Sequence, residues 1–429
     1  MATSVQDMTR PGEPVDLFYY DGETSKKQAF PTTQNTKFVQ QFQNMNGGSS
    51  VFTIPPNAGI QDIVCEFRIA GAASTGLSLN RGWGYALVKQ VSFRYGGSSQ
   101  FFLTGDQIFQ NAVRSQTSTA SADQIANLGG QIATSGTGGL TGVTASSLAS
   151  DVTAAIVLKL PHSVPSGVGK AHPFPTDLLT QQVQVTVELY PLASIMSVAA
   201  TGASNPYTVY ANGLSNAQFV VQQVALNNMG DALARRVDMA VNAYAFPCEF
   251  VQQVQRIILA NSASSQSVVL TGFRSGEVKA IHCWLTNNSD TTQVAVGGTG
   301  IYNPFNWQLP LAIQMTYAGD IYARYDYASS PLWNLINGNK APYVDLATIA
   351  AGTPNTAAAT PAQWVELPFA QTLVDEDSHH TLVHGKPITN GIVNLDITTP
   401  SASAGWVLNV SYIYNATLLM SQGTCDYVF

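Results

Sequence analysis

The strongest constraint in this sequence is a period of two. Across Ile63-Val64-Cys65-Glu66-Phe67-Arg68-Ile69 the odd positions are apolar, and polar residues enter at Glu66 and Arg68. Val183, Val185, Val187 and Leu189 alternate with Gln182, Gln184, Thr186 and Glu188. Successive side chains of a strand point to opposite faces, so this alternation predicts strands with one buried face, as in antiparallel sandwiches. Further strands are predicted over 86–95, 154–160, 219–226, 251–260, 278–285, 392–398 and 406–414, with Gly, Pro, Asn and Ser between them. The chain reads as all-β.

Two segments depart from the pattern. Residues 115–151 are almost wholly Ser, Thr, Ala, Gly and Gln, with little apolar area to offset the entropy of ordering, and a long surface loop is expected. Residues 231–241 place Leu233, Val237 and Val241 at helical spacing, with Asp231 and Arg235 four apart. A short linker helix is expected there, at mid-chain. Residues 1–36 carry Pro11, Pro14 and Pro31 around an isolated Phe18-Tyr19-Tyr20 cluster, which reads as an extended arm with one apolar anchor.

At 429 residues the chain is comfortable as two domains. An internal echo supports the division. In the first half, Arg94-Tyr95-Gly96-Gly97 leads to Phe101-Phe102-Leu103 and a predicted helix over 106–113. In the second, Met315-Thr316-Tyr317-Ala318-Gly319 leads to Ile321-Tyr322-Ala323-Arg324-Tyr325, and a helix is predicted around Leu332-Trp333-Asn334-Leu335-Ile336. Each half then has an alternating strand stopped by proline, at Pro191 or Pro400, and a last strand rich in Val. The expected domains are 37–228 and 247–429, joined by a linker over 229–246.

Only 10% of residues are charged, against roughly 25% in ordinary soluble domains. Such a chain wears a neutral polar coat or hides its surface against copies of itself. The net charge is −7 and the longest basic cluster is Lys26-Lys27, which argues against direct nucleic-acid binding. The first ten residues lack a secretory layout, and no apolar run approaches the ~18 residues that cross a bilayer. Cys65, Cys248, Cys283 and Cys425 show no paired spacing, so neither zinc nor a disulfide framework is suggested. Synthesis in the cytoplasm is expected.

No catalytic, cofactor-binding or metal-binding residue is assigned. Ser166-Gly167-Val168-Gly169-Lys170-Ala171 approaches a phosphate loop, but Val164 replaces the first Gly and Ala171 the metal-binding hydroxyl. Gly297-Gly298-Thr299-Gly300 reads as a flexible turn. His379, His380 and His384, after Asp375-Glu376-Asp377, are the densest set of ligand types; Pro368, Gly385 and Pro387 favour a solvated loop, with a cation site or pH-sensing contact as the alternative. His282-Cys283 is expected to be structural. There is no Gly-x-Ser-x-Gly elbow, and no Cys has a basic neighbour. Trp307, Trp333, Trp364 and Trp406 are expected in cores rather than in a sugar-stacking groove. Asn287, Asn409 and Asn415 stand in glycosylation sequons, the latter two near the last predicted strand.

The second half resembles the major capsid proteins of large eukaryotic DNA viruses and virophages. Pro247-Cys248-Glu249-Phe250-Val251-Gln252-Gln253-Val254-Gln255 is similar to the segment opening that family's second domain, preceded by an Arg235-Arg236 linker. Gly319 to Asp326, Leu332-Trp333-Asn334-Leu335, and Tyr414-Asn415 followed by Leu418-Leu419-Met420-Ser421 and Gly423 match its later motifs in order. The resemblance implies two tandem eight-stranded antiparallel jelly rolls, a double jelly roll of the adenovirus–tectivirus lineage. It also implies a homotrimeric, pseudo-hexameric capsomer within an icosahedral virion. The partners it implies are other copies of the chain, penton and minor capsid proteins, and an internal membrane beneath the shell. The rival reading is a lectin-like, two-domain attachment module.

Overall fold

A computed structural model describes residues 33–56, 59–72, 77–79, 82–95, 99–114, 151–158, 174, 176, 179–198, 204–226, 237, 243–252, 255–260, 265–300, 302, 304–305, 307–326, 364–369, 385–388, 392–400 and 405–428. The first ten strands are β1 (Thr33–Gln41), β2 (Gly48–Ile54), β3 (Gly59–Ile69), β4 (Leu77–Ser78) and β5 (Val88–Tyr95). They continue as β6 (Ser99–Thr104), β7 (Val152–Leu158), β8 (Val183–Leu189), β9 (Ser197–Val198) and β10 (Asn216–Leu226). The remainder are β11 (Tyr244–Val251), β12 (Gln255–Ile258), β13 (Ser265–Leu270), β14 (Glu277–Asn287), β15 (Ala312–Tyr317) and β16 (Asp320–Asp326). The chain then forms β17 (Val365–Pro368), β18 (Lys386–Pro387), β19 (Val393–Thr398), β20 (Trp406–Ser421) and β21 (Thr424–Val428).

These strands build the same sandwich twice. In the first half the sheets run β1-β10-β3-β7 and β2-β8-β5-β6, all antiparallel. In the second they run β11-β20-β14-β17 and β13-β19-β15-β16, in the same spatial order, the former enlarged to seven strands by β12 and β21 on β20 and β18 on β14. Eight strands in two four-stranded sheets, the last strand returning beside the first, is the jelly-roll arrangement. The internal echo falls on equivalent elements: the β5-β6 and β15-β16 hairpins, the proline-stopped β8 and β19, and the closing β10 and β20.

Alternation carries the packing inside each roll. Val183, Val185 and Val187 on β8 are wholly buried while Gln182 and Gln184 are exposed. Phe52 of β2 stacks on Phe219 of β10 across the sandwich, ring centroids 4.1 Å apart. Val393, Leu395 and Ile397 on β19 do the same work in the second roll. At the β15-β16 turn Ala318 and Gly319 both have positive φ, 54° and 92°, as a two-residue hairpin with right-handed strand twist requires.

Several predicted bounds shift for identifiable reasons. The strand expected over 86–95 begins at Val88, because Trp83–Leu87 coils into a short helix, α1, entered through Gly82 at φ 77°. The strand expected over 251–260 is two strands on one partner. Val251 opposes Ile413 and Gln255 opposes Val410, a one-residue slip in register. β20 runs seven residues past the expected end at 414, pairing with β11 and β21 there. The helix expected over 106–113 is α2 (Gly105–Arg114). In the expected linker helix only Val237 is described; it is helical, yet 61% exposed rather than packed. β1 begins at Thr33, within the expected arm, and β11 at Tyr244, within the expected linker.

Candidate functional site: the seam between the two rolls

A departure from sandwich alternation on neighbouring strands marks the site. Every residue of β14 from Val278 to Thr286 is buried, and so is β20 from Trp406 to Tyr414. One face of this sheet supplies the second roll's own core. On the other face lie Ala280, His282, Trp284 and Thr286 of β14, opposite Ile413, Ser411, Asn409 and Val407 of β20. Amphipathic alternation predicts that face to be wet; here the first roll covers it.

The cover includes α2. Its start is fixed by a capping box, Thr104-Gly105-Asp106-Gln107. The Gln107 backbone N–H points to Thr104 Oγ1 at 3.4 Å, and Gln107 Oε1 accepts from the Thr104 N–H at 3.0 Å. That reciprocal pair leaves Gln107 Nε2 free to donate to the Gln252 carbonyl of the second roll at 2.6 Å. One helical turn on, Gln110 Nε2 lies 3.0 Å from His282 Nδ1, and His282 Nε2 lies 3.0 Å from Glu366 Oε2 on β17. Gln110, His282 and Glu366 are all buried. Asp106 pairs with Arg256 of β12 at 2.9 Å; burial pushes its carboxyl up, and the guanidinium pulls the other way.

Aromatic rings fill the rest of the seam. Phe109 of α2 meets Phe305 at 4.5 Å and Trp307 at 5.8 Å; Trp307 stacks on Trp284 at 4.6 Å. Trp364 stands 6.2 Å from Trp307 and 6.0 Å from His282. Backbone pairing adds to this. The turn expected at Gly297–Gly300 reaches the first roll, where Val198 and Gly300 exchange N–H···O bonds of 2.9 and 3.0 Å. The carboxy-terminal β21 lays Tyr427 against Tyr95 and Phe101 of the first roll, at 6.3 and 6.1 Å.

The row Glu366–His282–Ser411 has the residue types of a hydrolase triad, on three adjacent strands. Its geometry forbids that chemistry. Gln110 and Glu366 occupy both ring nitrogens of His282, and Ser411 Oγ is buried without a hydrogen-bond partner. A general base must reach its nucleophile, and a substrate must reach both. Cys65 and Cys283 are buried thiols pushed up by that burial. The row holds two rolls together.

Of the residues singled out in the sequence, Trp307, Trp364 and Trp406 are buried, and Asn409 is buried with its amide donating to Thr286 Oγ1 at 3.0 Å. His282 and Cys283 are buried in β14, which is buried on both faces rather than alternately. Phe18-Tyr19-Tyr20, residues 115–150, Ser166–Ala171, Trp333, His379, His380 and His384 lie outside the described residues. Sequence reading missed Gln107, Gln110 and Glu366. The Thr-x-x-Gln box was legible at Thr104–Gln107; nothing near Gln110 or Glu366 announced a partner in the other half of the chain.

No protein-family model matches the sequence, and no curated protein matches it. Solved structures do. The chain is similar to PBCV-1 VP54 fitted into a cryo-EM reconstruction of the virophage Sputnik, with 12% identity and TM-score 0.63, over 94% of this chain and 98% of that one. Against the Faustovirus major capsid protein the identity is 10% and the TM-score 0.54, over 92% of each chain. The mavirus major capsid protein gives 11% and 0.52, over 98% of this chain and 95% of that one. Over the described residues, the chain is a double jelly roll with the fold of these viral major capsid proteins.

Proposed function

We propose that this protein is the major capsid protein of an icosahedral DNA virus, a structural subunit and not an enzyme. The observation that carries the reading is the seam. Two rolls with the same order of equivalent strands are joined to each other by buried polar bonds, ring contacts and backbone pairing, so that they form one block. Three such blocks around a threefold axis place six similar rolls in a ring, and a pseudo-hexagonal unit tiles a lattice from one gene product. The low charge content suits close-packed lateral contacts, since interface cores exclude charge.

Its partners on this reading are other copies of itself, then penton and minor capsid proteins and an internal membrane; its location is the virion. The domains are 37–228 and 247–429, each lengthened at its start by the strand that begins at Thr33 or Tyr244, and the residues before Thr33 are an arm that reaches a neighbouring subunit or the inner shell. The lectin-like alternative has less support, because Trp307, Trp364 and Trp406 are buried and unavailable for stacking on a sugar. Light scattering and negative-stain imaging of purified protein test the proposal. A stable trimer with a pseudo-hexagonal outline is expected; a monomer at high concentration, or a dimer, refutes it.

A further inference from the structure

His282 is the single imidazole on the covered face of β14, and both its nitrogens are engaged across different elements. With Gln110 Nε2 as donor, Nδ1 accepts and Nε2–H donates to the Glu366 carboxylate. His282 is then neutral and the Gln110–His282–Glu366 relay carries one net negative charge in a buried setting. An added proton on Nδ1 makes the relay neutral. It also sets an N–H against the Gln110 amide N–H, which a half-turn of that amide corrects by presenting Oε1 as acceptor. A primary amide can serve either protonation state, because a half-turn exchanges its donor nitrogen and acceptor oxygen at the same place.

We infer that the seam is a proton-accepting joint: His282 takes up one proton without opening it, and the contact between the rolls tightens as pH falls. The inference stands on seam geometry and does not require the capsid reading. Its physical basis is that a buried net charge is costly, whereas a charge-assisted pair with satisfied hydrogen bonds is strong. Among the described residues of the elements around it, the charges are these. β20 carries no charged residue, β17 carries only Glu366, and β12 carries only Arg256, which pairs with Asp106 of α2. α2 ends at Arg114, and β14 itself brings Glu277 and the buried Lys279 at the bulge beside Val278 and Ala280. Cys283, Tyr412 and Tyr414 belong to the opposite face of the sheet.

The sign follows from linkage. A histidine that gains partners on folding adds stability that is complete at low pH and fades as pH rises through its folded-state titration. Thermal melting of the full chain from about pH 8 to about pH 5.5, across the ordinary histidine range, reads it. Wild type is expected to gain about 2 °C or more over His282→Gln on acidification. Gln110→Met, which keeps the imidazole and removes the amide, is expected to lose most of that gain and covers the case in which His282→Gln does not fold. Ring-labelled 15N-histidine spectra of wild type give an independent measure: one protected imidazole should pass from the Nε2–H form to the doubly protonated form. Equal slopes in wild type and Gln110→Met, or a protected ring that stays neutral to about pH 5, overturn the joint. Trimer formation is scored separately, so failure here leaves the capsid reading intact.

Discussion

The carbonyl oxygen of Gly423 accepts two hydrogen bonds from Thr180, from the backbone N–H at 3.0 Å and from the hydroxyl at 3.1 Å. A glycine in the β20-β21 turn of the second roll is thus docked on the first. Its φ of 77° lies in the left-handed region, and a Cβ there would stand 2.2 Å from Thr180 Cγ2. Backbone conformation and close approach both demand glycine at this turn.

Gly423→Ala is therefore expected to destabilise the chain by about 2 kcal/mol or more, from the left-handed φ and the lost contact together. Chemical denaturation measures it. Combining it with Thr180→Ser, which removes the obstructing methyl, should recover part of the loss; no recovery would place the whole effect in the backbone.

Gln107 holds its own helix and the neighbouring roll with one amide. Gln107→Leu should cost about 1–3 kcal/mol, because it deprives the Thr104 N–H and the Gln252 carbonyl of partners at once. Gln107→Glu keeps the cap acceptor but offers no donor to Gln252, so it should lie between wild type and Leu. A Glu variant as stable as wild type would show that the bond to Gln252 contributes nothing.

The Asp106–Arg256 pair should respond asymmetrically. Asp106 is the more buried partner and Arg256 is 56% exposed. Arg256→Met leaves a carboxylate with no cation, whereas Asp106→Asn leaves a guanidinium that water can solvate, so the first should cost more at neutral pH. Burial raises the Asp106 carboxyl in the folded state, so its protonated form favours folding. The penalty of Arg256→Met should accordingly shrink as pH falls through that raised titration, and grow as pH rises. Urea midpoints for both variants across acid and neutral pH test the sign.

Replacing the middle of residues 115–150 with a short Gly-Ser bridge should leave folding intact, since loop entropy changes slowly with length. Arg68 pairs with Asp151, and the Gly71 N–H donates to the same carboxylate at 2.8 Å, so the far side of the segment is anchored within the first roll. An insoluble variant would mean that the segment packs at an interface between subunits.

Deleting residues 1–30 should impair particle assembly more than chain folding, because β1 begins at Thr33 and keeps its full pairing with β10. Particle yield against melting temperature separates the two effects.

The sequence by itself determined the strands and their doubled order. A period of two is a local property, set by which faces of a pleated backbone are apolar, and it survives into the structure at β3, β8 and β19. What only the tertiary structure decided is the fate of the polar faces. Asn409 and Ser411 alternate with Leu408, Val410 and Tyr412 just as a solvated strand would, yet they are buried. Alternation states which side of a strand is polar, but not what covers that side. The cover is Gln110 meeting His282 from 172 residues away, with Glu366 a further 84 beyond. No local pattern encodes a contact of that range, because it exists only once two closed sandwiches stand face to face.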